Sequence, residues 1–229
     1  MKSAIHLFLI LILLPFSGKL ISQDVAAVYD RVYGLDPVLY NGKKYSYFLP
    51  PGTGGNQFIF SPDFFMGDVT IKGKHFDGIA LNYDLFNQQL LLQYADETGA
   101  FNIIVISNAW LESFSLGDMK FAYLNFKDGP RYYQVIGDGP VRILYYRRKD
   151  LKLDVSYGGS HHTFTPPVKS QYVLIEDRLQ QFSNKRSLIA LFDPGLKPQI
   201  KNYFHINKIK LKKASDKTMT ELINYIGNL

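Results

Sequence analysis

The stretch Leu151-Lys152-Leu153-Asp154-Val155-Ser156-Tyr157 alternates apolar and polar residues without a break. That period of two is the signature of a β-strand with one face turned to a core. Upstream, Ile79, Leu81, Tyr83 and Leu85 fall on one face of a second such run, with Ala80, Asn82 and Asp84 on the other. Across residues 68–157 the pattern recurs about every ten residues, each run ending at a glycine, aspartate or asparagine turn. The reading is an antiparallel meander with a dry face and a wetter face, forming a strongly curved sheet or a barrel.

Working outward, the expected strands are Val69–Ile71, Gly78–Leu85, Leu90–Tyr94, Phe101–Ile106, Leu111–Leu116, Lys120–Phe126, Tyr132–Ile136, Val141–Tyr146 and Gln171–Glu176. The Asn41-Gly42 pair suggests a hairpin turn between Leu39 and Phe48, because both positions tolerate a positive φ. Pro50 to Asn56 reads as a loop, and so does the run from Gly158 to Pro167. After Gln171–Glu176 the period changes. Leu188, Ile189, Leu191 and Phe192 suit a short helix, and Ile200, Tyr203 and Phe204 a second. Met219, Leu222, Ile223 and Ile226 make the stripe of a third, with Ser215 as its N-cap and Asp216 in its first turn. A further short helix is expected over 24–36. The fold class is therefore α+β and mainly β: one antiparallel sheet followed by two or three short C-terminal helices.

At the N-terminus, Lys2 precedes the apolar run Ile5–Phe16, which gives way to Ser17-Gly18-Lys19. This reads as a secretory signal peptide over 1–22, cleaved near Ser22-Gln23 although Leu20 is larger than signal peptidases favour. The apolar run is short of the about 20 residues a membrane span needs, and no later stretch approaches that length. Residues 23–229 are then read as a single domain, exported to the periplasm or the medium. Cysteine is absent, which excludes a disulfide scaffold, a thiol nucleophile and a lipid-anchoring cysteine.

The net charge of +6 is unevenly spread. Residues 23–182 carry 15 Lys/Arg against 17 Asp/Glu, a net of −2, and residues 183–229 carry 9 against 3, a net of +6. Such a basic segment could meet an anionic surface, but Lys208-Ile209-Lys210-Leu211-Lys212 also reads as a strand with a solvated lysine face. Export argues against nucleic acid.

Few residues suggest chemistry. His161-His162 has no cysteine or nearby carboxylate to complete a tetrahedral metal site, and His75 and His205 have no partner visible in sequence. Ser160 lacks the following glycine of a nucleophile elbow. Asp63, Asp68, Glu97, Glu112 and Asp118 offer carboxylates for glycoside cleavage, although any acidic turn does the same. No catalytic residue, metal site or cofactor is expected. The doublets Tyr132-Tyr133 and Tyr145-Tyr146 place one ring on each side of a strand. Their outward rings, with Lys208, Lys210 and Lys212, are the candidate binding residues, for envelope polysaccharide or an envelope protein. The alternatives are an envelope hydrolase acting on glycan or peptidoglycan, and a structural accessory subunit of an envelope complex.

Four C-terminal segments, Asn184–Phe192, Ile200–Phe204, Lys208–Lys213 and Leu222–Ile226, together with Leu39-Tyr40-Asn41-Gly42, resemble exported proteins common in Bacteroidota. Those share a strand-rich body, a lysine-serine-leucine-leucine helix, a basic turn and a closing tyrosine-containing helix. The resemblance implies export in a Gram-negative bacterium and brings no activity or catalytic residue.

Overall fold

The computed structural model describes residues 35–96, 98–155 and 161–229. The signal peptide, nearly all of the helix expected over 24–36, and Glu97 and Ser160 lie outside the described residues. Pro37–Leu229 forms one compact unit.

The strands are β1 (Gly42–Lys44), β2 (Phe65–Ile71), β3 (Lys74–Asp84), β4 (Gln89–Ala95), β5 (Phe101–Ile106), β6 (Leu111–Leu116) and β7 (Met119–Phe126). They continue with β8 (Gly129–Ile136), β9 (Val141–Arg148), β10 (Leu151–Asp154), β11 (His161–Phe164), β12 (Val168–Ile175) and β13 (Arg178–Phe182). Three helices follow: α1 (Lys185–Ala190), α2 (Lys197–Ile206) and α3 (Asp216–Gly227). One antiparallel sheet of 11 strands has the order β1-β5-β4-β3-β2-β6-β7-β8-β9-β12-β13, and β10 and β11 pair separately. The sheet is curved and open, not a closed barrel.

Its curl follows from one short connection. β5 and β6 are joined by residues 107–110 alone, yet β4, β3 and β2 lie between them in the sheet. Four antiparallel steps leave β5 and β6 parallel, so in a flat sheet the end of β5 and the start of β6 would lie at opposite ends of the strands between them, offset by four spacings of about 4.8 Å, about 19 Å, and by the strand length as well. The connection is a tight turn in which the Trp110 and Leu111 amides both donate to Ser107 O, spanning about 6 Å at helical rise. Only a rolled sheet brings those ends together. The concave side of β2–β8 then curls around Leu81, Tyr83, Leu92, Ile104, Phe114, Phe121 and Tyr132. Tyr83 of β3 meets Phe114, Phe121 and Tyr132 edge-on at centroid distances of 5.5, 5.6 and 5.4 Å.

The other end of the sheet is covered by helices. Leu188, Ile189, Ile200, Phe204, Met219, Leu222, Ile223 and Ile226 pack on Ile136, Ile143, Tyr145, Val173 and Phe182. The Asn184 side chain and Ser187 cap α1 reciprocally, and Ser215 caps α3 as its sequence position suggests.

Four local expectations are corrected. Asn41-Gly42 makes no hairpin turn: Gly42 opens β1 and pairs with Ile106, and a Cβ there would lie 2.4 Å from Val105 O, so the glycine serves close strand approach. The run expected to be a loop contains β11, which pairs with β10 through Leu151↔Phe164 to Asp154↔His161. Lys208–Lys212 is not a strand; Lys208 has a φ of 50° and Leu211–Lys213 form one 3-10 turn. Finally, Leu151–Asp154 turns no face to the core: β10 lies outside the 11-stranded sheet and Leu153 is 57% exposed. A strand that was not expected, β13, pairs with β12 across Glu176-Asp177, both at positive φ (47° and 63°).

Gly67 tests how tightly the roll is packed. A Cβ there would sit 2.1 Å from Ser115 O on β6, so Gly67→Ala is expected to lower stability by about 1–3 kcal/mol in urea unfolding. Replacing the exposed neighbour Met66 with alanine is expected to stay within about 0.5 kcal/mol.

Candidate functional site

Residues 45–64 run back over the convex face of β3–β5. Tyr45 N donates to Ile103 O, Leu85 N to Gln57 O and Ile59 N to Tyr83 O. Phe58 packs with Leu91 and Val105 beneath this strap. The supposedly wetter face is therefore dry here, and Asn82 and Asp84 are buried. Burial requires that their polar atoms be satisfied. Asn82 Nδ2 donates to Ser61 O and Asp63 O. Asp84 Oδ1 accepts from the Phe86 and Asn87 amides at 2.9 and 2.8 Å, and Oδ2 accepts from Tyr45 Oη and Asn87 Nδ2, both at 2.8 Å. Gln57 Nε2 completes the cluster by donating to Tyr45 Oη at 3.1 Å.

The β3–β4 turn also meets the end of β9. Gln88 Nε2 donates to Arg147 O and Lys149 N to Leu85 O. The Lys149 ammonium, on a residue only 9% exposed, donates to Asn56 O at 2.9 Å and Oδ1 at 3.2 Å. Burial holds its pKa below the ordinary lysine value, with Asp84 opposing that shift.

Strap and turn together frame a groove. A cleft of about 240 Å³ is lined by Ser46, Tyr47, Phe48, Leu49, Gln57, Phe86, Asn87 and Gln89. A second of about 390 Å³, lined by Asn41, Gly42, Lys43, Val105, Ile106, Ser107 and Asn108, shares Gln89 with it. Phe48 is 90% exposed and Tyr47 54%, and Phe86 is exposed beside them. The lining combines aromatic rings and primary amides with aliphatic side chains, two serines and the Lys43 ammonium. It contains no carboxylate or imidazole, and both oxygens of the underlying Asp84 are engaged. Such a lining can stack on a ligand and hydrogen-bond it.

The tyrosines singled out from sequence lie elsewhere. Tyr132 and Tyr145 face the concave side and Tyr133 and Tyr146 the convex side, as alternation requires. Tyr132, Tyr133 and Tyr145 are 2%, 1% and 1% exposed, and Tyr146 is half-buried. Tyr133 packs with Phe126, Tyr146 and Tyr172, and Arg131 lies over Tyr146. These rings are cross-strand packing. Lys208, Lys210 and Lys212 are exposed between α2 and α3. His161 and His162 are consecutive in β11, so they point to opposite faces and cannot grip one ion together. Sequence reading passed over Tyr47, Phe48 and Phe86, whose only signal was large apolar residues beside Pro50-Pro51 and an Asn87-Gln88 turn.

The chain matches no protein-family model, no curated protein and no solved structure.

The buried phenols set a pH limit. Burial raises the pKa of Tyr45, Tyr83, Tyr132 and Tyr145 above the ordinary value of 10.0. Above pH 10 the folded chain therefore binds more protons than the unfolded one, and the stability that is intact below pH 10 is lost as pH rises further. Lys149 acts in the opposite sense: its lowered pKa costs stability below 10.5, and that cost fades as pH approaches 10.5. Base titration is expected to show part of the tyrosinate absorbance appearing only together with loss of tertiary circular dichroism.

Proposed function

We propose that this is a non-enzymatic binding protein of the bacterial envelope, exported to the periplasm or medium, whose groove around Gln89 takes a neutral glycan strand. The observation that carries the reading is the groove lining: exposed Tyr47, Phe48 and Phe86 beside Asn41, Asn87, Gln89 and Asn108. Aromatic faces pack on the C–H faces of sugar rings, and primary amides offer donors and acceptors together, matching neutral hydroxyls without requiring charge. Glycoside cleavage would instead call for two carboxyl groups about 5–9.5 Å apart across the bound bond. The lining supplies none.

Calorimetric titration with soluble peptidoglycan fragments and with uncharged polysaccharide tests this. Saturable binding is expected, weakened at least tenfold by Phe48→Ala or Tyr47→Ala, about 1.4 kcal/mol, with an unchanged melting temperature because both side chains are exposed. Glycan cleavage during the titration would favour the hydrolase. Stable co-purification of a protein partner without glycan binding would favour the accessory subunit.

A further inference from the structure

On the hairpin of β2 and β3 the convex face carries a different chemistry. Gly67 pairs with Ile79 and Val69 with Phe76, so Asp68 alone stands opposite two residues, Asp77 and Gly78. This is a β-bulge, and Gly78 adopts the positive φ of 64° that accommodates it. Its effect on side-chain direction is decisive. Without the extra residue, Asp68 and Thr70 would face Gly78 and Phe76, and His75 and Asp77 would point to the other side of the sheet. With it, Thr70 pairs with His75, and Asp68, His75 and Asp77 share one face.

Their ligand atoms all lie within 4.8 Å of one another, the only such group of three among the described residues. His75 Nε2 stands 2.7 Å from Asp77 Oδ1, and its Nδ1 stands 3.2 Å from Thr70 Oγ1. Asp68 is held from outside the hairpin: Ser115 Oγ of β6 donates to Oδ2 at 3.1 Å, and Gly78 N donates to Oδ1 at 3.3 Å.

We propose that Asp68, His75 and Asp77 form a three-ligand site for a divalent transition ion, Zn²⁺ by preference, with water completing the coordination. One imidazole nitrogen and two carboxylate oxygens suit Zn²⁺, which binds such ligands at about 2.0–2.2 Å and accepts four in a tetrahedron. A hard ion such as Ca²⁺ would draw nothing from the imidazole. The neutral tautomer that carries its proton on Nδ1 presents the Nε2 lone pair to the ion while Nδ1–H donates to Thr70 Oγ1, the outer contact that orients a ligating histidine. The His75 and Asp77 side chains are 57% and 82% exposed, so the ion enters with its waters and the two side chains close on it by rotation. The site is independent of the glycan groove, with which it shares no residue.

Calorimetric titration of chelator-treated full-length protein with ZnCl₂ tests the site. One saturable event in the micromolar range or tighter is expected, weakened at least tenfold by His75→Ala and by Asp77→Asn and unaffected by the double change His161→Ala, His162→Ala. Both single variants alter exposed side chains, and unchanged circular dichroism and melting temperature will show that they fold. The ¹⁵N shift of His75 Nε2 is expected to move on zinc addition. Absence of saturable uptake below millimolar zinc, uptake that survives His75→Ala, loss of uptake in the His161/His162 variant, or Ca²⁺ binding as tightly as Zn²⁺ would each overturn the assignment.

Discussion

The turn at residues 107–110 is the constraint from which most of the architecture follows. Its length obliges the end of β5 to meet the start of β6 although three strands separate these two parallel strands, and the sheet complies by rolling. Rolling converts one face of a single sheet into an interior, so β2–β8 need no second layer to bury Leu81, Tyr83 and Phe114. The turn is fixed in its turn by that interior: Tyr132 Oη donates to Asn108 Oδ1, and Trp110 O accepts from the Lys72 amide while its ring lies under the Lys72 ammonium. β9, β12 and β13 extend past the roll, and there the amphipathic α1–α3 supply the missing layer.

Rolling also brings the β3–β4 turn to the end of β9, and this contact creates the polar cluster under the groove. The join is made by few hydrogen bonds: Lys149 N to Leu85 O, Gln88 Nε2 to Arg147 O, and the Lys149 ammonium to Asn56. Apolar packing would hold such a junction as tightly but in a less specific place, whereas a buried lysine or aspartate is stable only with its partners in position. Removing one partner would leave the other charge or donor buried without compensation. The cluster therefore acts as a register pin for the strap. It is the reason Tyr47 and Phe48 are held at the mouth of a defined groove while remaining exposed.

What could be read from the sequence was whatever depends on neighbours in the chain. Alternation located most strands and assigned the two faces of Ile79–Leu85 and of the tyrosine doublets, and helical spacing with Ser215 found α3. What stayed hidden depends on residues far apart in sequence. The partner of Gly42 is Ile106, so its local Asn-Gly signal pointed to a turn the fold does not use. β13 was missed because Glu176-Asp177 does a turn's work with residues that seldom adopt positive φ. The groove unites positions 41–43, 46–49, 57, 86, 87, 89 and 105–108, which no window of sequence joins. Outward tyrosines looked like a platform because alternation gives direction but not depth; Tyr133 points outward and is still covered by its neighbours.

The two proposed sites differ in how much of the molecule they require. The groove exists only while strap, turn and β9 are assembled, so its stability is that of the complete roll. His75 and Asp77 sit two residues apart on one strand, and Asp68 is their neighbour across a single hairpin, with only Ser115 contributed from β6. Local openings of a fold follow such units, and a hairpin with its bulge intact can keep its three ligands together when more distant contacts have parted. An ion held there would stabilise the β2–β3 pairing and the bulge directly. Because β2 also carries Gly67, whose close approach to Ser115 O joins this hairpin to β6, occupancy of the convex face would tighten the same strand contact on which the roll depends.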